Sequence, residues 1–150
     1  MNTPNGSRPT TDEYFLGMAM LASSRGTCAR RKVGCVITNL AGHVLGTGYN
    51  GVCSGAVHCI DVPCPGAKQK SGEGLHLCEA VHAEPNAIMQ CRDITQIHSV
   101  YSTASPCINC MRLIANTGAK RIVFLEEYPH AESKLIARRN DIAWIHYKSD

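Results

Sequence analysis

"IHSVYSTASPCINC", residues 97–110, reads as a strand running almost directly into a helix. The strand is Ile97 to Thr103, and Pro106 falls just before or at the start of the helix, expected over about 107–117, where a missing backbone N–H does no harm. "RIVFLEE" at 121–127 then reads as a strand, a helix is expected near 131–139, and "IAWIHY" at 142–147 reads as a last strand. On the N-terminal side, "VHAEPNAI" at 81–88 opens a helix expected over about 83–92, with Pro85 in its first turn. Further upstream, "VGCVITNL" (33–40) and "HVLGTGYN" (43–50) form two strands around a short turn at Asn39 to Gly42, a hairpin. Before them a helix is expected over about 11–24. It is capped by Thr10 or Thr11 ahead of Asp12 and Glu13, carries Phe15, Met18, Ala19 and Ala22 as its apolar stripe, and stops at Gly26. The alternation predicts an α/β fold, a mixed sheet with helices on its faces.

At 150 residues the chain is the size of one ordinary domain, with residues 1–9 a flexible leader and residues 51–80 an insertion rich in Gly, Pro and Cys. The formal charge of +3 comes with no basic run, and aromatics are only 5% of residues, so a polynucleotide groove is not indicated and a small ligand is favoured. No stretch approaches the roughly 18 apolar residues of a membrane span, and "MNTPNGSRPT" lacks the apolar core of a signal peptide. A cytoplasmic protein is therefore expected. In that compartment nine cysteines point to metal rather than to disulfides.

Cys107 and Cys110 make a Cys-x-x-Cys at a helix start, where partial positive charge favours thiolates, and His82 stands at the start of another helix. Alone, the cysteine pair also suits a zinc ribbon or a redox couple, and the histidine a cap. Together they supply three ligands and leave one tetrahedral position open, the arrangement of a catalytic zinc. Glu84, two residues after His82, has the offset to approach a water at that position without binding the metal. Pro85 is expected to push Glu84 away from helical dihedrals. Cys35, Cys53 and Cys91 are read as filler or core residues without chemistry.

"HAEPN" with "SPCINC" is similar to the H-x-E and P-C-x-x-C signature of zinc nucleobase deaminases. With "TCARRKVGCVI", "GYNGV" and "YSTASPCINC" the chain more narrowly resembles the deoxycytidylate (dCMP) deaminase branch, over roughly residues 11–128. The resemblance implies a cytidine deaminase-like three-layer α/β/α fold with a mixed five-stranded sheet. It also implies zinc-dependent hydrolysis of dCMP to dUMP and ammonia, feeding dTMP synthesis, with Glu84 as general acid and base. Asn50 and Asn86 would contact the sugar and phosphate side of the substrate, Ser105 the base, and Tyr128 the phosphate. The branch is usually a homohexamer, activated by dCTP with Mg²⁺ and inhibited by dTTP. An effector pocket is expected between Arg25, Arg30 and Lys32 and the backbone amides of Gly51 and Gly55. A deaminase of cytidine or of tRNA adenosine is the alternative within enzymes, though such shorter relatives generally lack the 51–80 insertion; a non-catalytic zinc-binding module is the alternative outside them. The cysteines outside the catalytic set also predict a second, structural zinc at Cys28, Cys59, Cys64 and Cys78, with His58 or His76 able to replace one thiolate.

Overall fold

The computed structural model describes residues 7–28, 31–63, 67 and 81–148. Helix α1, Thr11–Ser23, starts as its sequence predicts. The Thr10 hydroxyl oxygen accepts the Glu13 N–H at 3.2 Å and donates back to the Glu13 carboxylate at 3.1 Å. Such a cap stabilises a helix by about 1 kcal/mol. The stop differs from expectation. Ser23 and Ser24 donate their hydroxyls to the carbonyls of Met20 and Leu21, and the helix ends there, two residues before Gly26. Gly26 has no left-handed φ. It is small because a β-carbon at that position would lie 2.9 Å from the Asn50 side-chain oxygen.

Strands β1 (Gly34–Thr38) and β2 (Val44–Tyr49) form the expected antiparallel hairpin. Its turn is closed by Asn39 and His43, and Gly42 supplies the positive φ of 83° that the bend requires. Then follow α2 (Ala83–Gln90), β3 (Ser99–Ala104), α3 (Ile108–Ala115), β4 (Arg121–Glu126), α4 (Ala131–Arg139) and β5 (Ala143–His146). Between α2 and β3 the chain makes a 3₁₀ turn, Ile94–Gln96, that the periodicity does not disclose. Asp93 caps it by accepting from the Thr95 N–H at 2.9 Å. The five strands lie in the order β2-β1-β3-β4-β5; β1 is antiparallel to both neighbours, while β3, β4 and β5 run parallel. The sheet is mixed, as expected.

Side chains alternate between two apolar layers. On one face Cys35, Ile37, Val100, Ile122 and Phe124 pack with Ala83 and Ala87 of α2, Met111 and Ile114 of α3, and Ala137 of α4. On the other, Val36, Tyr101 and Val123 pack with Phe15, Leu16 and Ala19 of α1. The result is three layers, with one helix opposing three. The α1 side is pinned by Arg121, which grips the Asp12 carboxylate with two hydrogen bonds of 2.9 Å, while the Tyr101 hydroxyl donates to the same carboxylate. Among the described residues no helix is long and apolar enough to cross a membrane.

Candidate active site

The two motifs meet because α2 and α3 pack on the same face of the sheet and begin side by side. His82 is the N-cap of α2 and Cys107 the N-cap of α3, both in extended backbone, and neither side chain caps its own helix. Ser, Thr, Asp or Asn would be the stabilising choice at such positions. The side chains turn towards each other instead. His82 Nδ1 lies 3.2 Å from Cys110 Sγ and 3.6 Å from Cys107 Sγ, and the three atoms all fall within 4.8 Å of one another. Ligand lengths near 2.0–2.1 Å for nitrogen and 2.3 Å for sulfur set tetrahedral N and S atoms about 3.5 Å apart on zinc. The donor set and its spacing fit that ion. Among the described residues it is the one cluster of three or more such groups.

Electrostatics separate the two thiols. The Cys110 thiol hydrogen-bonds the Cys107 sulfur, which, with His82 beside it, holds the Cys107 pKa down at about 3; the same bond, with burial, pushes Cys110 far up. Hydrogen bonding to Cys107 likewise raises the His82 pKa. Glu84 is 4% exposed, and burial lifts its carboxyl above the ordinary range, opposed by the positive charge of His82. Pro85 does not expel Glu84 from the helix: α2 already begins at Ala83, because a first turn tolerates the missing proline N–H. Beneath Glu84 lies Cys35, fully buried, its thiol kept neutral by burial and by the Glu84 charge. Cys91 is half-buried, whereas Cys53 is exposed and fills no core.

The side chains expected to meet substrate hydrogen-bond the surrounding backbone. Asn86 donates its side-chain amide to the carbonyls of Tyr49 (2.8 Å) and, less closely, Val81 (3.4 Å). Ser105, just past the C-terminal end of β3, accepts the Tyr128 N–H at 2.8 Å. The Asn50 side chain straps the segment before β1, accepting from Val33 N–H and donating to the Arg31 carbonyl, both at 2.7 Å. Its expected hydrogen-bonding capacity is thus largely committed to backbone. The Tyr128 hydroxyl donates to Glu126, and its ring carries the Arg31 guanidinium, 3.5 Å from the ring centroid. Nothing in "CARRKV" distinguishes Arg31 from its neighbours.

A three-ligand cluster beside a buried carboxylate, at two helix starts next to the carboxyl end of β3, invites comparison with known proteins. Residues 9–126 match the cytidine and deoxycytidylate deaminase zinc-binding region. The chain belongs to that family. Within it, the chain is 43% identical over 128 residues to the deoxycytidylate deaminase of Mycobacterium phage D29, covering 81% of this chain and 98% of the relative. It is 36% identical over 135 residues to the deoxycytidylate deaminase of Saccharomyces cerevisiae, covering 89% of this chain but only 43% of that longer protein. Among solved structures it superposes with a TM-score of 0.75, at 25% identity, on the dCMP deaminase of cyanophage S-TIM5 in complex with dCMP and dUMP, covering 94% of this chain and 99% of the other. The zinc-binding family and the His82, Cys107, Cys110 cluster agree on the metal.

The expected effector residues Arg25, Lys32 and Gly55 lie at the surface, Gly55 in a turn with φ 86°, and Arg30 lies outside the described residues. Gly51 departs from expectation: its N–H donates to the Val81 carbonyl at 3.0 Å and its carbonyl accepts from Val81, so that amide is not available to a triphosphate. Of the second-metal set, Cys28 and Cys59 are buried, and Ile60 N–H donates to the Thr27 carbonyl at 3.0 Å, which joins the two segments next to these cysteines. His58 is exposed and 4.0 Å from Asp61; Cys64, His76 and Cys78 lie outside the described residues.

Proposed function

We propose that this chain is a single catalytic unit that hydrolyses dCMP to dUMP and ammonia. The observation that carries the reading is a buried carboxylate, Glu84, held against a His/Cys/Cys cluster with the spacing of zinc ligands. His82, Cys107 and Cys110 would hold a zinc ion, which would supply the Lewis acidity that makes a water acidic near neutral pH. Glu84 takes the proton from that water and passes it to N3 of the cytosine ring as oxygen attacks C4. Glu84 then takes the second proton from the hydroxyl now on C4 and delivers it to the departing amino group as the C4 carbonyl forms, so water and dCMP become dUMP and ammonia with no other reactant. Burial favours the protonated carboxyl and the positive charge of His82 favours the carboxylate, which suits a group that must hold the proton briefly and return it. The Asn86 amide positions the sugar side and Ser105 the base, while Asn50 keeps the adjoining wall in place. By the same reading the enzyme assembles as a homohexamer, is activated by dCTP with Mg²⁺ and inhibited by dTTP, and feeds dTMP synthesis. Arg25, Arg30 and Lys32 with Gly55 would then meet the triphosphate.

Ammonia release from zinc-loaded protein, measured in parallel with dCMP, CMP, deoxycytidine and dCTP, tests this. The expected result is turnover of dCMP well above the other three, with sigmoidal saturation that dCTP and Mg²⁺ make hyperbolic. No release from dCMP removes the activity; hyperbolic saturation indifferent to both triphosphates removes the regulation alone.

A second, structural zinc at Cys28, Cys59, Cys64 and Cys78, with a histidine able to replace one thiolate, would brace an insertion that has little else to order it. The backbone bond between Thr27 and Ile60 supports that placement. About two zinc ions per chain are expected by elemental analysis, falling to about one when Cys59 and Cys78 are both changed to Ser. One ion per chain in fully active wild-type protein excludes the second site.

A further inference from the structure

We infer that Thr27 is a positioning residue for the catalytic metal: its hydroxyl stands in for a strand carbonyl and holds the segment that fixes where His82 begins α2. This rests on the zinc-dependent reading above and adds to it the group that sets the place of one ligand.

Just past the end of α1, Thr27 is buried, only 7% exposed. It bonds the three residues that follow β2. The Thr27 N–H donates to the Asn50 carbonyl at 3.1 Å, and the Thr27 hydroxyl oxygen accepts the Val52 N–H at 3.2 Å. Gly51, between them, pairs the other way: its N–H donates to the Val81 carbonyl at 3.0 Å, and its carbonyl accepts the Val81 N–H at 2.7 Å. Each of the two peptide groups flanking Gly51 therefore bonds Thr27 on one side and Val81 on the other. Thr27 completes a ladder of three chain segments, one residue deep.

A strand residue in that place would use its own N–H and its own carbonyl. The Thr27 carbonyl is committed to the insertion, where it accepts the Ile60 N–H at 3.0 Å. The hydroxyl supplies the missing acceptor, which valine, of the same shape, lacks. It also packs directly on the ladder, since a β-carbon at Gly51 would lie 3.3 Å from Thr27 Oγ1.

The far side of the ladder leads to the metal. Val81 precedes His82, the N-cap of α2, whose side chain is turned to the two thiols rather than to its own helix. The His82 backbone is thus held by the Gly51 pairing on one side and, on the other, by its carbonyl, which accepts the Asn86 N–H at 3.3 Å. Without the Thr27 hydroxyl the Val52 N–H has lost its acceptor, so residues 50–52 shift to satisfy it and carry Val81 with them. Groups that orient a ligand from behind are felt in metal affinity as well as in turnover.

The test loads the full chain with cadmium-113 and follows the resonance of the two-sulfur, one-nitrogen site, which stands apart from that of a four-thiolate site; its decay against a competing chelator gives the affinity of this site alone. Thr27→Val is expected to displace the resonance, weaken metal at this site about tenfold and, in the zinc-loaded protein, lower kcat for dCMP about tenfold. Thr27→Ser keeps the oxygen and should return all three readings to within about twofold of wild type. Thr27→Ala also lacks the acceptor and is read in the same way where Thr27→Val does not fold. A role in stability alone lowers the melting temperature but leaves the resonance and the affinity at their wild-type values. That result, or a Thr27→Ser variant that behaves like Thr27→Val, overturns the assignment. Failure of the deaminase reading looks different: wild-type protein then releases no ammonia from dCMP, while the metal measurements still judge Thr27.

Discussion

Glu84→Gln lowers kcat for dCMP about a thousandfold and leaves the zinc content of the purified protein unchanged. The magnitude follows from the role: a positioned acid and base contributes roughly 10² to 10⁴ in rate, and an amide of nearly the same shape can neither take the proton from water nor deliver it to N3. The specificity of the change follows from the structure. Glu84 is on the first turn of α2, two residues beyond His82, and its carboxyl lies beside the cluster without belonging to it. The substitution therefore spares every ligand atom. It also removes a carboxyl whose burial is unfavourable when charged, so the melting temperature should hold or rise slightly. A variant that keeps a tenth or more of wild-type turnover, with full zinc, would mean that another group moves the proton. A protein in which the cysteines and histidine serve only to stabilise the fold would show no loss of turnover, since there would be none to lose.

The parts of this molecule that are legible in its sequence are those set by neighbours along the chain. Thr10 with Glu13 caps α1, Gly42 turns the hairpin, and His82, Cys107 and Cys110 mark helix starts whose spacing implies a metal. Each needs only local rules plus one inference, that two helix N-termini face each other. The misreadings come from contacts that the chain does not advertise. Gly26 looks like a helix stop, yet its smallness answers to Asn50, 24 positions away by number. Gly51 looks like a donor for a phosphate, yet Val81 has taken its amide. Asn50, expected on the substrate side, also holds backbone with both ends of its side chain, which its sequence does not disclose. Arg31 carries no signal in the sequence because the ring it lies on, Tyr128, is brought back by the topology from beyond β4.

The glycines of β2 carry the same lesson furthest, and they give the second large effect. Gly48→Ala should cost about 1 to 3 kcal/mol of stability and lower kcat/KM for dCMP about 100-fold. In "VLGTGY" Gly46 and Gly48 stand two residues apart and therefore on one face of the strand. That face is where α2 lies, with Ala83 and Ala87 wholly buried against the strand. A β-carbon on Gly48 would meet the Ala83 carbonyl and lie 2.6 Å from the Ala87 nitrogen, where ordinary contact begins near 3.4 Å. Both obstacles are backbone, so no side chain can rotate aside. The helix itself must move, by most of an ångström. His82 and Glu84 move with it, whereas Cys107 and Cys110 ride on α3 and stay, so the substitution opens the cluster as well as misplacing the general base. Zinc affinity should therefore fall together with turnover, which separates this variant from Glu84→Gln. Gly17→Ala is the matched control: it lies inside α1 with nothing within 4 Å of the added carbon, and should stabilise the protein by about 0.5 to 1 kcal/mol with activity unchanged. If Gly48→Ala melts, binds zinc and turns over like wild type, then the close seating of α2 on β2 is not what sets the geometry of the site.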